Sequence, residues 1–409
     1  MKCRHCGTTL ALRLADLGSA PPSNAYLTEA TLHAPEKWFP LRVLVCEQCW
    51  LAQTEDFSRA NELFDSDYAY FSGFSTTWLT HCERYVASMT ERFGLNDQSH
   101  VFEIAANDGS LLAFVKARGI PCTGIEPTAS TAAAARARGL EIIEEFFGTA
   151  LARRLAALGM RADLVAANNV LAHVPDINDF VAGFCDLLKP GGVATFEFPH
   201  LLRLLDESQF DTIYHEHFSY LSLTAVDTIF RENGLTVFDV EELPTHGGSL
   251  RVYAQRADTG PHAVVPRVSG ILEREKLSGL RESAIYAGFQ GKTDRIKNEF
   301  LGFLLDAHRN HQSVAAYGAA AKGNTLMNYA GVRPDLISFV ADRNPAKQGK
   351  FTPGGRIPIV AEALLMAARP DFVVILPWNI KDEVMAQLSY VRDWGGKFVT
   401  AVPEFRITP

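Results

Sequence analysis

Two clusters in this 409-residue chain have the residue types and spacing for chemistry. The first is Y-H-E-H-F-S-Y-L-S, residues 214–222, which crowds His215, Glu216 and His217 between Tyr214 and Tyr220. Such a set suits a metal clip or an acid/base centre, and a solvated polar loop is the plain alternative. As alternate residues of a strand, His215 and His217 would share one face. The helical H-E-x-x-H pattern of zinc proteases is absent, however, and no third ligand is evident. Histidine suits proton transfer because its ordinary pKa lies near neutrality. In an extended segment Tyr214 and Glu216 would face opposite to His217. An irregular backbone is therefore expected if all three serve one pocket.

The second cluster is a pair of C-x-x-C knuckles, Cys3/Cys6 and Cys46/Cys49, with 39 residues between them. Each turn presents two thiolates, and four thiolates around one Zn2+ leave no open position, which predicts a structural ion. His5, inside the first knuckle, is a candidate substitute ligand. Neither pair sits at a strand-to-helix turn, so a redox role is not expected. Cys82, Cys122 and Cys185 stand alone and read as small buried residues.

These clusters need a scaffold. The first seventy or so residues are irregular and proline-containing, a unit too small to be stable without a staple. From His100 buried strands alternate with helices, which implies a parallel sheet in an α/β fold. The stretch V-F-E-I-A-A-N-D-G-S-L-L enters a helix through small residues, with Glu103 in the strand and Ala105, Asn107 and Asp108 in the turn. Free N–H groups at such a turn suit a ligand. The pattern is not G-x-G-x-x-G, so a dinucleotide pyrophosphate is poorly served. Glu126, followed by Pro127, ends the next strand, where a carboxylate can accept both hydroxyls of a ribose. Asn168 and Asn169 follow the third strand, and His173 follows them. A helix with the sequence I-N-D-F-V-A-G-F-C-D-L-L-K-P-G-G is expected next.

Beyond residue 240, H-G-G-S-L-R-V-Y sets His246 and Arg251 beside a flexible turn, either as sugar or phosphate contacts or as a tight hairpin. A polar helical stretch, Ile271 to Arg309, precedes a second strand–helix series. Its Y-G-A-A-A-K-G-N carries Lys322 and Asn324 at another small-residue turn, a candidate diphosphate cradle. The P-loop pattern is absent. Domain bounds of 1–70, 71–260 and 261–409 follow.

The 47% hydrophobic and 21% charged content is that of an ordinary soluble protein. A net charge of −8 gives no general attraction to nucleic acid or an anionic membrane. No apolar run approaches the roughly 20 residues that span a bilayer. The opening M-K-C-R-H-C-G has no signal-peptide core, so a cytoplasmic location is expected.

The stretch E-I-A-A-N-D-G resembles the first motif of S-adenosylmethionine-dependent methyltransferases, E/D-x-G-x-G-x-G, with Ala105 and Asn107 in place of two glycines. Together with D-Y-A-Y-F-S-G, Y-H-E-H-F-S-Y-L-S, H-G-G-S-L-R-V-Y, Y-G-A-A-A-K-G-N-T-L-M-N and L-P-W-N-I-K-D-E, it makes nearly the whole chain similar to the bacterial nucleotide-sugar C-methyltransferases. The resemblance implies a small zinc-binding domain, a central Rossmann-like class I methyltransferase domain and a second Rossmann-like domain for the nucleotide sugar. It implies S-adenosylmethionine as methyl donor, structural Zn2+, and a dTDP- or GDP-linked 4-keto-6-deoxy sugar methylated at C3. On it His217 is the base, Glu216 and Tyr214 are its partners, and His173 and Tyr68 are further active-site positions, with Tyr70 close by as a substrate contact. Two alternatives stay open: O-methylation of a sugar hydroxyl, and an NAD-dependent oxidoreductase or nucleotide-binding regulator. Neither the sugar nor the oligomeric state is encoded in these motifs.

Overall fold

The computed structural model describes residues 1–57, 73 and 76–409. The N-terminal segment forms more sheet than its irregular texture suggested. Strands β1 (Leu12–Ala20) and β2 (Phe39–Val45) pair antiparallel, and β3 (Ala52–Thr54) pairs with β2. In β2 the buried residues Leu41, Val43 and Val45 alternate with half-buried ones, the period of a strand with one covered face.

The alternating block supplies β4 (Val101–Ile104), β5 (Cys122–Ile125), β6 (Glu141–Ile143), β7 (Ala162–Asn168) and β8 (Leu188–Pro199), all parallel. Every residue of β4 is buried, as in a strand covered on both faces by helices. One boundary differs from expectation. The helix Ile177–Leu187 stops before K-P-G-G, which opens β8, because Pro190 lacks the N–H a helix needs and Gly191 takes φ 152°.

The chain then leaves this sheet. Strand β9 (Ser219–Tyr220) pairs with β3, so the end of Y-H-E-H-F-S-Y-L-S completes the N-terminal sheet. Strands β10 (Leu235–Leu243) and β11 (Ser249–Arg256) form a hairpin, and β11 runs antiparallel to β8. The central order is β10-β11-β8-β7-β4-β5-β6. It reverses at β4, and ligands of open α/β sheets bind beyond the strand ends at such a switch point.

The polar stretch resolves into helices Pro266–Leu277, Ser283–Ala287 and Phe289–Arg309. The last buries Phe289, Thr293, Ile296, Phe300, Leu304 and Ala307, one helical stripe. The C-terminal sheet comprises β12 (Val314–Tyr317), β13 (Val340–Ala341), β14 (Ile359–Val360), β15 (Phe372–Ile375), β16 (Lys397–Thr400) and an antiparallel edge strand, β17 (Arg406–Thr408). Its order, β14-β13-β12-β15-β16-β17, puts a second switch point at β12. A single apolar cluster joins Val43 of β2, Phe210 of the central segment, Phe300 of the long helix and Val374 of β15. Another cluster joins Cys46 and Leu51 of the N-terminal segment to Phe102 of β4 and Phe196 of β8, so burial of shared surface ties the three sheets together. Among the described residues no helix is long and apolar enough to cross a membrane.

Candidate active site and metal centre

The four knuckle cysteines converge. Their sulfurs lie within 4.8 Å of one another, with Cys3–Cys49 at 3.6 Å, Cys6–Cys46 at 3.5 Å and Cys6–Cys49 at 3.8 Å. A tetrahedron of thiolates about 2.3 Å from Zn2+ has edges of roughly 3.8 Å, so the set fits the ion. Each knuckle folds back at the residue after its second cysteine: Gly7 takes φ 75° and Trp50 φ 60°. His5 is not a fifth candidate, because its ring faces Asn178 at 2.7 Å and Glu232 at 3.2 Å. Of the lone cysteines, Cys82 is buried as expected, whereas Cys122 and Cys185 are half-buried.

At the β4 switch point lies a cavity of about 640 Å³, lined by Glu103, Ala105, Asn107, Glu126, Pro127, Asn168 and Asn169 and walled by Phe146 and Phe147. Ala105 and Asn107 take φ 57° and 49°, the left-handed region that glycine enters freely. The turn thus keeps the glycine conformation without the glycines, at about 1–2 kcal/mol for Ala105 and less for Asn107, a residue type that enters this region readily. Glu126 accepts the N–H of Asn107 at 2.8 Å and that of Thr128 at 2.9 Å, bracing the same turn. Both polar atoms of the Asn168 side chain and Oε2 of Glu103 are buried without a protein partner. Groups left in that state suit a polar ligand, and S-adenosylmethionine offers an amine, a carboxylate and ribose hydroxyls. Burial pushes the Glu103 carboxyl well up. Asp108 is bonded instead to Ser110, Arg138 and the Gly73 N–H, so it braces the turn from behind.

His173 and His246 line the same cavity. The ring of His173 meets that of His217 edge-on, 4.7 Å between centres. The backbone between Tyr214 and His217 is a turn, closed by the His217 N–H on the Tyr214 carbonyl at 2.9 Å. This is the irregularity the face argument required. It brings the Tyr214 hydroxyl to 2.7 Å from Nε2 of His217, with Nδ1 of His217 2.9 Å from the Thr212 carbonyl. Burial and the neighbouring His173 hold His217 well below the ordinary histidine range. Burial likewise brings His173 and His246 down to about 4.

The two remaining members of the motif point elsewhere. His215 faces the carbonyls of Phe39 and Pro40, and Glu216 takes a bond from Asn24, so both side chains turn to the N-terminal sheet and its loop. Burial pushes Glu216 up to about 7. Among the described residues the four cysteines are the one cluster able to hold a metal ion, and the metal-clip reading of His215 and His217 falls with that.

From the C-terminal unit, Lys322 lies 4.8 Å over the Trp378 ring and 2.7 Å from Asn379 Oδ1, and Trp378 donates to Asp211 at 2.7 Å. Burial lowers Lys322 from its ordinary range and raises Asp211 to about 6. Lys347 donates to the Ala319 carbonyl at 2.7 Å above the Tyr26 ring. Of these groups, Lys322 is near enough to His217 for its charge to lower that ring further.

Residues 3–64 match the family model of a zinc binding domain, residues 78–240 that of a methyltransferase domain, and residues 244–403 that of a C-methyltransferase C-terminal domain. The C-methyltransferase NovU of Streptomyces niveus is 34% identical over 406 residues, 99% of this chain and 96% of that protein. The chain belongs to this C-methyltransferase family. Among solved structures it resembles the magnesium protoporphyrin IX methyltransferase of Synechocystis PCC 6803 with bound SAH, at 16% identity over 44% of this chain and 83% of that one, TM-score 0.35. The glycopeptide N-methyltransferase MtfA is similar at 16% identity over 42% and 94%, TM-score 0.33. The C-methyltransferase is S-adenosylmethionine-dependent, and its cluster of four cysteines is that of the family's zinc-binding domain. The O-methyl and NAD-dependent alternatives are set aside.

In the C-methyltransferase, two expected substrate contacts are placed otherwise. Arg251 is sequestered: it pairs with Glu197 at 2.6 Å and Glu241 at 3.2 Å, because a buried Glu197 on the adjacent strand needs a cation. Burial alone would raise Glu197, but bonds from His81 and Arg251 outweigh it and hold the carboxyl below its usual range. Asn324 spends its side-chain N–H on the Ser23 carbonyl at 2.7 Å, tying the N-terminal loop to the helix Ala321–Tyr329. Tyr68 and Tyr70 lie outside the described residues. Sequence reasoning missed Asn24, Tyr26, Asp211 and Trp378 around the candidate site, and Trp78, which lines the cavity at β4. Only the polar S-N-A-Y in a proline-rich loop offered a signal, and nothing in it named a partner.

Proposed function

We propose that this C-methyltransferase methylates C3 of a nucleotide-linked 4-keto-6-deoxy sugar, with His217 as the base. The observation that carries the reading is the fixed tautomer of His217. The Thr212 carbonyl can only accept, so Nδ1 bears the hydrogen and Nε2 keeps its lone pair. Nε2 takes the proton from the carbon beside the ketone, and the electrons of that C–H bond move toward the ketone oxygen. The Tyr214 hydroxyl donates to the oxygen as charge develops, the electrostatic role such donors play, whereas the N–H of the neutral His173 ring is committed to the Glu216 carbonyl at 2.8 Å. When bound, S-adenosylmethionine supplies the methyl group, a carbon–carbon bond forming as the sulfonium–methyl bond breaks. Glu126, Asn168 and Glu103 are the residues to hold it.

Lys322, with the backbone N–H groups that open the helix Ala321–Tyr329, suits a diphosphate, and either dTDP or GDP carries one. His246 and Tyr70 are the further substrate contacts of this reading, and Glu216 and Tyr68 its further active-site positions. The domain division 1–70, 71–260 and 261–409 and a cytoplasmic location belong to the same reading. The test combines NMR of the product with deuterium exchange at the ketone-adjacent carbon in the absence of methyl donor. A carbon-bound methyl at C3 and exchange that disappears in His217→Asn are expected. Methylation of another carbon, or undiminished exchange in the variant, overturns it.

A further inference from the structure

Arg4 stands inside the first cysteine knuckle, yet its side chain leaves the metal cluster and is only 4% exposed. Its guanidinium donates to the Thr54 carbonyl at 2.9 Å and the Pro175 carbonyl at 3.2 Å, and pairs with Asp56 at 3.0 Å. It also lies 5.3 Å over the Phe218 ring. Thr54 ends β3 and gives its hydroxyl to the His217 carbonyl at 3.0 Å. Pro175 is two residues past His173. The Phe218 N–H reaches the Ala172 carbonyl at 2.8 Å, so the two histidine-bearing segments touch directly over this cation.

We propose that Arg4 is a positioning residue that sets His173 against His217, making the first knuckle part of the catalytic geometry. The proposal rests on the reading of that pair as the proton-transfer centre. A planar fork with five N–H groups can hold two carbonyls and a carboxylate at fixed angles, which the point charge of lysine cannot. Loss of one tie lets the segments slip, and a misplacement of about 1 Å from a distant mutation can cost ~10²-fold in rate. A merely structural arginine would instead lower stability and zinc retention without a selective effect on turnover.

The experiment uses Arg4→Lys in the full-length zinc-loaded enzyme. Zinc content, S-adenosylmethionine affinity and KM are expected to stay near parental values, while kcat and ketone-adjacent deuterium exchange fall together ~10–10²-fold. The ring nitrogen NMR signals of His173 and His217 should shift, whichever histidine is the base. Unmoved ring signals with parental kcat overturn the proposal, as does a loss of zinc or cofactor binding that tracks the loss of rate. Should Arg4→Lys fail to fold, Asp56→Ala decides by the same readouts, since it removes the carboxylate that holds the guanidinium in place. Turnover retained in His217→Asn would overturn the base assignment alone and leave the ring-signal result to judge Arg4.

Discussion

The Tyr214 hydroxyl sits 2.7 Å from Nε2 of His217, the ring nitrogen left with a lone pair once Nδ1 is committed to Thr212. The phenol therefore donates to the proposed base, and substrate must share or displace that bond. Tyr214→Phe is expected to lower kcat by ~10²-fold if the same hydroxyl later supports the ketone oxygen. Steady-state kinetics with unchanged cofactor affinity would check this. Parental kcat would take that role away from Tyr214.

Glu126 ties down the N–H groups of Asn107 and Thr128 in the lining of the candidate cofactor cavity. Glu126→Ala is expected to weaken S-adenosylmethionine binding by ~1–3 kcal/mol, the range for losing a charged hydrogen-bonding partner. Glu126→Gln, which keeps an acceptor for one N–H, should lose less. Calorimetry on both variants separates the direct contact from collapse of the turn, since a collapsed turn predicts equal losses.

Cys46→Ser should release about one zinc per chain and lower the thermal midpoint, because metal binding to such a site is folding energy. The effect should extend to activity, since β9 and the Thr54 hydroxyl link the zinc-bound sheet to the backbone of His217. Metal analysis of the purified protein together with thermal melts checks the pair of outcomes. Full zinc content in the variant would remove Cys46 from the ligand set.

Burial holds His173 and His246 near 4 in the folded chain. Unfolded, each titrates at about 6.5, so between these values the unfolded state binds more protons and stability falls as pH drops. Glu216, pushed up to about 7, acts in the opposite sense: its stabilising contribution is lost as pH rises from the ordinary carboxylate range through 7. Denaturation midpoints of the parent and His246→Asn from pH 4 to 7 should show a shallower acid slope in the variant. Equal slopes would mean His246 is charged in the fold.

Much of this protein was determined by local pattern. The cysteine spacing named the metal site because a C-x-x-C turn is a short-range object whose geometry follows from its own sequence. The buried strand V-F-E-I and the acid ending the next strand located the candidate cofactor cavity for the same reason, even with Ala105 and Asn107 where glycines were expected. The crowding of titratable groups in Y-H-E-H-F marked the candidate active site, and the face conflict foretold its turn. Tertiary structure decided which of those groups belong together. His217 meets His173 and Tyr214, whereas His215 and Glu216 turn to carbonyls and an amide of the N-terminal unit. Arg251 went to Glu197 because a buried carboxylate must find a cation, and the neighbouring strand supplied one. Arg4, Asn24 and Trp378 gave no usable signal, since their partners lie 171, 192 and 167 residues away along the chain. Periodicity reports which face of an element is covered; only packing through a shared core selects what covers it.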